Sequence, residues 1–243
     1  ADAFNGGNGK DTADYSYETT NGVNINLTLN QVVDGSGATD TLDSIENVIA
    51  SNFDDIFIGN GDDNILEGRD GDDQIEGRAG DDKIYGEDGD DLLDGGDGAD
   101  QIFGGEGNET NGDTVTYENV IITDGVSVNL AIGSAFDGAD TDSLFNIENV
   151  IGSNFTDTLQ GDDQANKLEG LLGADTLIGG KGDDYIDGGG AVDIVSYALD
   201  ADVNLDGFGV TVDLENNTAT DGNGDTDTIL NVEHVIGSDF ADD

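Results

Sequence analysis

The chain has 243 residues, of which 56 are Asp or Glu and only 6 are Lys or Arg, for a formal net charge of -50. That charge excludes nucleic acid and anionic membrane surfaces as partners, and without a counter-charge it places the bare chain among disordered compositions. With no Cys and 1 His, disulfides and soft-metal sites are excluded as well, so carboxylate and carbonyl oxygen are the ligands in supply and the implied counter-ion is a hard cation.

Residues 1–14 read as the end of an array built on a nine-residue unit, G-x-x-G-x-D-x-U-x, in which U is apolar: Gly6 to Asp14 is one unit, and Asp2 and Phe4 fit an earlier one. Tyr15 opens a linking segment, 15–49, in which Val23-Asn-Ile-Asn-Leu27 alternates apolar and polar residues like a strand with one buried face. It ends in Ile45-Glu-Asn-Val-Ile49. Block one, 50–116, holds seven units opening at Ala50, Gly59, Gly68, Gly77, Gly86, Gly95 and Gly104, the last stretched by the four residues Asn108–Asn111.

The pattern then repeats. A second linking segment, 117–151, carries Tyr117, Val126-Ser-Val-Asn-Leu130 and Ile147-Glu-Asn-Val-Ile151, and block two, 152–196, has five units opening at Gly152, Gly161, Gly170, Gly179 and Gly188. A third, 197–236, carries Tyr197, Val210-Thr-Val-Asp-Leu214 and Val232-Glu-His-Val-Ile236, and 237–243 starts a further array. Phe53, Phe155 and Phe240 mark the fourth place of the unit that follows each linking segment. Both ends fall inside an array and Met is absent, so the chain reads as a piece of a longer protein.

Two places define the register. The sixth holds Asp55, Asn64, Asp73, Asp82, Asp91, Asp100 and Asp113, then Asp157, Asn166, Asp175, Asp184 and Asp193, each an oxygen donor. The eighth holds Phe57, Leu66, Ile75, Ile84, Leu93, Ile102 and Val115, then Leu159, Leu168, Leu177, Ile186 and Val195, all apolar. Nine residues form half of a flattened coil, so two units complete a turn and like loops stack in two columns. Glycine at the first and fourth places is expected to supply positive φ and close backbone approach, and place eight is expected to face a narrow interior. Recurrent glycine disfavours helices, and absent proline suits paired strands. The fold class is therefore all-β. Neighbouring aspartates repel, so ion binding is expected to contribute to folding itself.

These units resemble the calcium-binding nonapeptide repeats of RTX proteins, a known β-helix repeat. The segments Asn149-Val-Ile-Gly-Ser-Asn-Phe155 and Asp225-Thr-Asp-Thr-Ile-Leu-Asn231 look like the C-terminal region of serralysin-type secreted proteins. The resemblance implies right-handed parallel β-roll blocks joined by short β-strand segments, with about five to eight calcium ions held between loops two units apart. Carried over by position, Arg69, Gly71 and Asp73 would face Gly86, Asp88 and Asp91, and Arg78, Gly80 and Asp82 would face Gly95, Asp97 and Asp100. In block two, Leu171, Gly173 and Asp175 would face Gly188, Gly190 and Asp193, while Ser153, Phe155 and Asp157 would face Gly170, Leu172 and Asp175. The same rule gives Ser51, Phe53 and Asp55 opposite Gly68 and Asp70, Glu87 and Gly89 opposite Gly104 and Glu106, and loop positions Gly77, Ala79, Gly179, Lys181 and Asp184. Asn64 and Asn166 replace aspartate, so the loops at Gly59 and Gly161 are expected to bind weakly or to cap, and the Asn108–Asn111 insert disturbs the site beside it.

Other readings fare less well. A flexible acidic linker would not hold the apolar register, and a phosphate cradle lacks Gly-Lys-Ser/Thr. Asp221-Gly-Asn-Gly-Asp225-Thr-Asp227 resembles the start of an EF-hand but lacks its turn glycine and terminal glutamate, which leaves an extra calcium site or a polar turn. His234 has no metal-binding or catalytic companion and reads as structural. No His-Glu-x-x-His and no nucleophile elbow is present. The resemblance implies a non-catalytic, secreted or cell-surface module that folds on extracellular calcium after type I secretion, with further copies or flanking modules of the same protein as possible partners. The rivals are an assembly unit of a surface layer, adhesin or filament, and a glycan-binding module of a polysaccharide-modifying enzyme.

Overall fold

The computed structural model describes residues 1–120, 125–199 and 209–243, so stretches of the second and third linking segments lie outside the described residues. Among the described residues there are 26 short strands, one 3-10 turn at Leu130–Ile132 and no α-helix. No helix is long and apolar enough to cross a membrane. The chain forms two compact units, 1–115 with 139–147 and 116–138 with 148–243.

In the first unit, alternate half-coils pair in parallel. Lys83–Asp88 lies between Ile65–Asp70 and Gln101–Gly107, with Ile84 opposite Leu66 and Ile102. On the other side Leu93 lies opposite Ile75 and Val115. In the second unit Leu177 pairs with Leu159 and Val195, and Leu168 with Val150 and Ile186. Like thus stacks on like, two units apart, in both. This is the stacked parallel coil of a β-roll.

The eighth place carries the core because a three-residue strand turns only its middle side chain inward. From Leu66 to Val195 these residues are at most 2 % exposed. The five inner strands of block one, from Ile65–Asp70 to Gln101–Gly107, run six or seven residues rather than the three expected, since places two and three also pair: Glu87 with Arg69, Asp88 with Asp70, Asp97 with Ala79; Ile56–Ile58 and Thr114–Thr116 at its ends keep three. In block two the strands keep three residues, and the loops contribute one bridge, Leu172 to Gly190. On the outer face of unit one, Tyr85, Phe103 and Phe145 stack with centroids 4.7 and 4.5 Å apart, a cross-strand aromatic ladder.

The linking segments contain antiparallel pairs, which the sequence reading did not anticipate. In the first, Asn24–Asn26, Gln31–Val33 and Thr39–Asp43 form a meander, and Asn24–Asn26 then lies parallel to Ile56–Ile58. In the third, Thr211–Asp213, Thr218–Thr220 and Thr226–Leu230 do the same beside Tyr185–Asp187. Left-handed corners at Ser44, Asn146 and Asn231, with φ of 57, 49 and 50°, follow the strands Thr39–Asp43, Thr141–Phe145 and Thr226–Leu230 and reverse the chain into the next half-coil. Val23, Ile25, Val126 and Val128 face inward as their alternation predicts, whereas Leu214 is 44 % exposed.

Truncating Ile84 to alanine should cost about 2–5 kcal/mol, because a fully buried layer leaves a cavity between fixed coils. Leu172→Ala, at a residue 58 % exposed, should change stability by less than about 0.5 kcal/mol. Urea unfolding at a fixed saturating calcium concentration measures both, and equal effects would contradict the assignment of the interior.

Candidate metal centre

The sixth-place carboxylates form ladders along the roll. Asp73 Oδ1 accepts the Asp55 N–H at 2.7 Å, Asp91 Oδ1 that of Asp73 at 2.8 Å, and Asp113 Oδ1 that of Asp91 at 2.9 Å. The second column of unit one runs Asn64 to Asp82 at 2.6 Å, Asp82 to Asp100 at 2.8 Å and Asp100 to Asp142 at 3.0 Å. In unit two Asp157 donates to Asp175 at 2.8 Å and Asp175 to Asp193 at 2.9 Å, while Asn166 donates to Asp184 at 2.8 Å. Each interior aspartate therefore gives one oxygen to the coil before it.

The other oxygen is different. Oδ2 of Asp73, Asp82, Asp91, Asp175, Asp184 and Asp193 is buried and meets no hydrogen-bond donor. A buried anionic oxygen without a partner is strongly unfavourable, and these six share their place in the repeat with Asp11, whose Oδ2 is in the same condition. Each points toward the first-place glycine of its own loop. A methyl group on Gly68, Gly77, Gly86, Gly170 or Gly179 would overlap that Oδ2, and on most of them it would also press on the carbonyl of the next coil's first glycine, as Gly68 does with Gly86 and Gly170 with Gly188. First-place glycine thus keeps open a cradle lined by carboxylate and carbonyl oxygen.

Positive φ falls on the second and fourth places, not on the first as the sequence suggested. Arg69, Arg78, Glu87 and Leu171 take φ of 90, 84, 79 and 66°, and Gly71, Gly80, Gly89 and Gly173 take 129, 114, 139 and 151°. The first glycine is needed for space, the fourth for conformation, and the second place holds ordinary residues in a conformation they rarely adopt. The third-place carbonyls of Asp88, Asp97 and Gly190 accept the N–H of Gly71, Gly80 and Gly173 at 2.9, 3.0 and 3.1 Å, each leaving a second lone pair. The oxygen-only donor set, the six partnerless anionic atoms and the open cradles fit a hard divalent cation such as calcium, whose ligands are carboxylate and carbonyl oxygens.

Burial raises the proton affinity of these groups, and neighbouring carboxylates add to it. Desolvation lifts Asp73 to about 9, Asp184 to about 8, Asp82 and Asp175 to about 7, and Asp91 to about 6, with Asp55, Asp91, Asp100, Asp193 and Asp227 among the charges that reinforce it.

Not every expected ligand joins this arrangement. Both oxygens of Asp55 and of Asp157 already accept protein donors from Ser51 and Ser153. Asn64 and Asn166 cap their own loops, accepting Asn60 and Asp162 N–H at 3.1 and 2.7 Å and donating to Glu46 and Glu148 carbonyls at 2.8 Å. The insert folds over Asp90, whose carboxylate accepts the N–H groups of Thr110, Asn111 and Gly112 at 2.7 to 3.2 Å. Asp221 accepts the Asn223, Gly224 and Asp225 N–H groups at 2.9, 2.8 and 2.9 Å, so the EF-hand-like run forms a polar turn around its first aspartate.

Sequence reasoning missed five members of the ladders. Asp142, as above, and Asp227, which accepts the Asp184 N–H at 3.1 Å, continue columns from within linking segments, as does Asp40 toward Asp2 at 2.7 Å. Glu46 and Glu233 do so with a longer side chain, each accepting at 2.9 Å from Asp11 and Asp193. For the three aspartates the signal lay in Asp-x-Leu/Ile, two places before a buried residue, outside the nine-residue frame.

A pH dependence follows. Raised folded-state values mean that the metal-free coil binds more protons than the unfolded chain, so its stability is greatest below the unfolded value of 3.8 and is lost as pH rises through about 6 to 9. In chelator, lowering the pH from about 8 to 5 should increase the far-ultraviolet circular dichroism signal of β-structure, and calcium binding at neutral pH should release protons. Loss of β-structure on acidification would contradict the sign.

The RTX calcium-binding nonapeptide repeat matches the chain in four copies, at residues 49–84, 76–108, 151–181 and 169–203. No curated protein matches the chain. RTX repeats bind calcium and are typical of secreted proteins, and the four copies cover the loops of Asp73, Asp82, Asp91, Asp175, Asp184 and Asp193. The chain therefore carries RTX calcium-binding nonapeptide repeats in both blocks.

Proposed function

We propose that this chain is a non-catalytic, calcium-folded module of a larger secreted bacterial protein, and that calcium is the switch between an unfolded export form and the folded roll. The observation that carries the reading is the set of six buried Oδ2 atoms that meet no donor. Six partnerless carboxylate oxygens in a chain of net charge -50 make the metal-free coil unfavourable. Divalent ions between Arg69, Gly71, Asp73 and Gly86, Asp88, Asp91, and between the corresponding loops of both blocks, would reverse the sign of that contribution. Binding free energy is then folding free energy.

The resemblance to RTX exoproteins supplies the cellular logic. Cytosolic calcium is too scarce to fill such sites, which suits passage through a type I secretion channel as an extended chain. Extracellular calcium matches the weak end of protein sites, on the order of 0.1 to 1 mM. About five to eight ions would still leave the module strongly anionic.

Circular dichroism during a calcium titration at pH 7.5 tests the switch. A largely disordered spectrum in chelator should convert cooperatively to β-structure between about 0.1 and 5 mM calcium, with no comparable conversion in sodium of equal ionic strength. Full β-structure in chelator would overturn the proposal.

A further inference from the structure

The seam at the head of each block is closed differently from the seams within it. Ser51 N–H donates to Asp55 Oδ2 at 2.8 Å and its hydroxyl reaches both carboxylate oxygens, at 2.9 and 3.1 Å. Val23 N–H, just before the strand Asn24–Asn26, donates to Oδ1. In block two Ser153 N–H and hydroxyl reach Asp157 Oδ2 and Oδ1 at 2.6 and 2.7 Å, and Val126 N–H reaches Oδ1 at 2.8 Å. A third copy unites Ser238, Val210 and Asp242, at 2.7 Å from the hydroxyl and 3.0 Å from the Val210 N–H.

The sequence signature is Ser-x-Phe-x-Asp joined to an upstream Gly-Val. Ser51, Ser153, Asp55 and Asp157 are at most 1 % exposed. The serine oxygen also accepts the N–H of Phe53 or Phe155, at 3.2 and 3.1 Å. These phenylalanines occupy the place where other loops use positive-φ glycine, yet neither has positive φ, so the loop takes a different path. Gly22 and Gly125 precede the valines because a side chain there would collide with the Asp54 or Thr156 carbonyl. At the tail of block two the counterpart is a phenol: Asp227 Oδ2 accepts the buried Tyr197 hydroxyl at 2.7 Å, while Oδ1 accepts the Asp184 N–H.

We propose that Ser-x-Phe-x-Asp with its Gly-Val partner is a metal-independent cap, in which serine and valine donors give Asp55 and Asp157 the partners that a cation gives to Asp73, Asp91 and Asp175. Ion binding then begins one coil inside each block, and Tyr197 closes a column at the far end without metal. Ser153, Phe155 and Asp157 are on this account not calcium ligands, contrary to what position within the repeat implies. The inference rests on the calcium reading above, since a cap has meaning only where its neighbours need an ion.

Equilibrium dialysis at saturating calcium on the whole chain, with melting temperatures at the same calcium concentration, tests it. Asp157→Asn should bind as many ions as the unaltered chain and melt about 3–8 °C lower, as expected for weakened hydrogen bonds to a buried charge. Asp175→Asn should lose at least one ion. Loss of an ion in Asp157→Asn would overturn the cap. Ser153→Ala covers the case in which Asp157→Asn does not fold: a similar fall in melting temperature with an unchanged ion count supports the cap, and an unchanged melting temperature overturns it, because a backbone carbonyl ligand is indifferent to the hydroxyl. An unaltered chain that binds no calcium would contradict the functional reading instead, and the Ser153→Ala melting temperature would still decide the cap.

Discussion

The structure depends on a divided carboxylate. Every interior sixth-place aspartate commits Oδ1 to the N–H of the coil before it, and for Asp73, Asp82, Asp91, Asp175, Asp184 and Asp193 the same commitment turns Oδ2 into a buried loop with no donor. The first half of the arrangement aligns neighbouring coils in register. The second half makes that alignment unfavourable until a cation enters. One residue type at one place thus supplies both the geometry of the roll and its dependence on metal.

The rest of the nine-residue unit serves this division. A first-place side chain would occupy the space in front of Oδ2, so glycine is required there for volume. The fourth-place glycine turns the loop through φ values that other residues rarely adopt. The apolar eighth place gives each half-coil one inward side chain, enough to fill a thin interior but too little apolar surface to outweigh the repulsion of stacked carboxylates. Core and metal seam are therefore complementary, and neither specifies the fold alone.

Much of this was legible in the sequence, because the period is strict wherever two sheets stack. The alternation of Asp73, Asp82 and Asp91 with Ile75, Ile84 and Leu93 is enough to predict the coil, the two columns and the interior. What escaped lies where the period breaks. Asp40, Asp142 and Asp227 belong to the carboxylate ladders, yet they sit at the ends of meanders whose lengths hide the register. The Ser-x-Phe-x-Asp loops read as the first repeat units of their blocks because their defining partner donors are the N–H groups of Val23 and Val126, which lie 32 and 31 residues upstream of Asp55 and Asp157. The expectation of positive φ at the first place failed for a simpler reason: composition records that glycine is needed, not whether space or conformation requires it.

The most direct test of the central claim is anomalous diffraction from crystals grown in calcium. The account places anomalous peaks within about 2.3–2.6 Å of Oδ2 of Asp73, Asp82, Asp91, Asp175, Asp184 and Asp193, with the stacked loops on either side completing an oxygen shell. Peaks confined to the outer surface, with these six oxygens facing only water or protein donors, would contradict it.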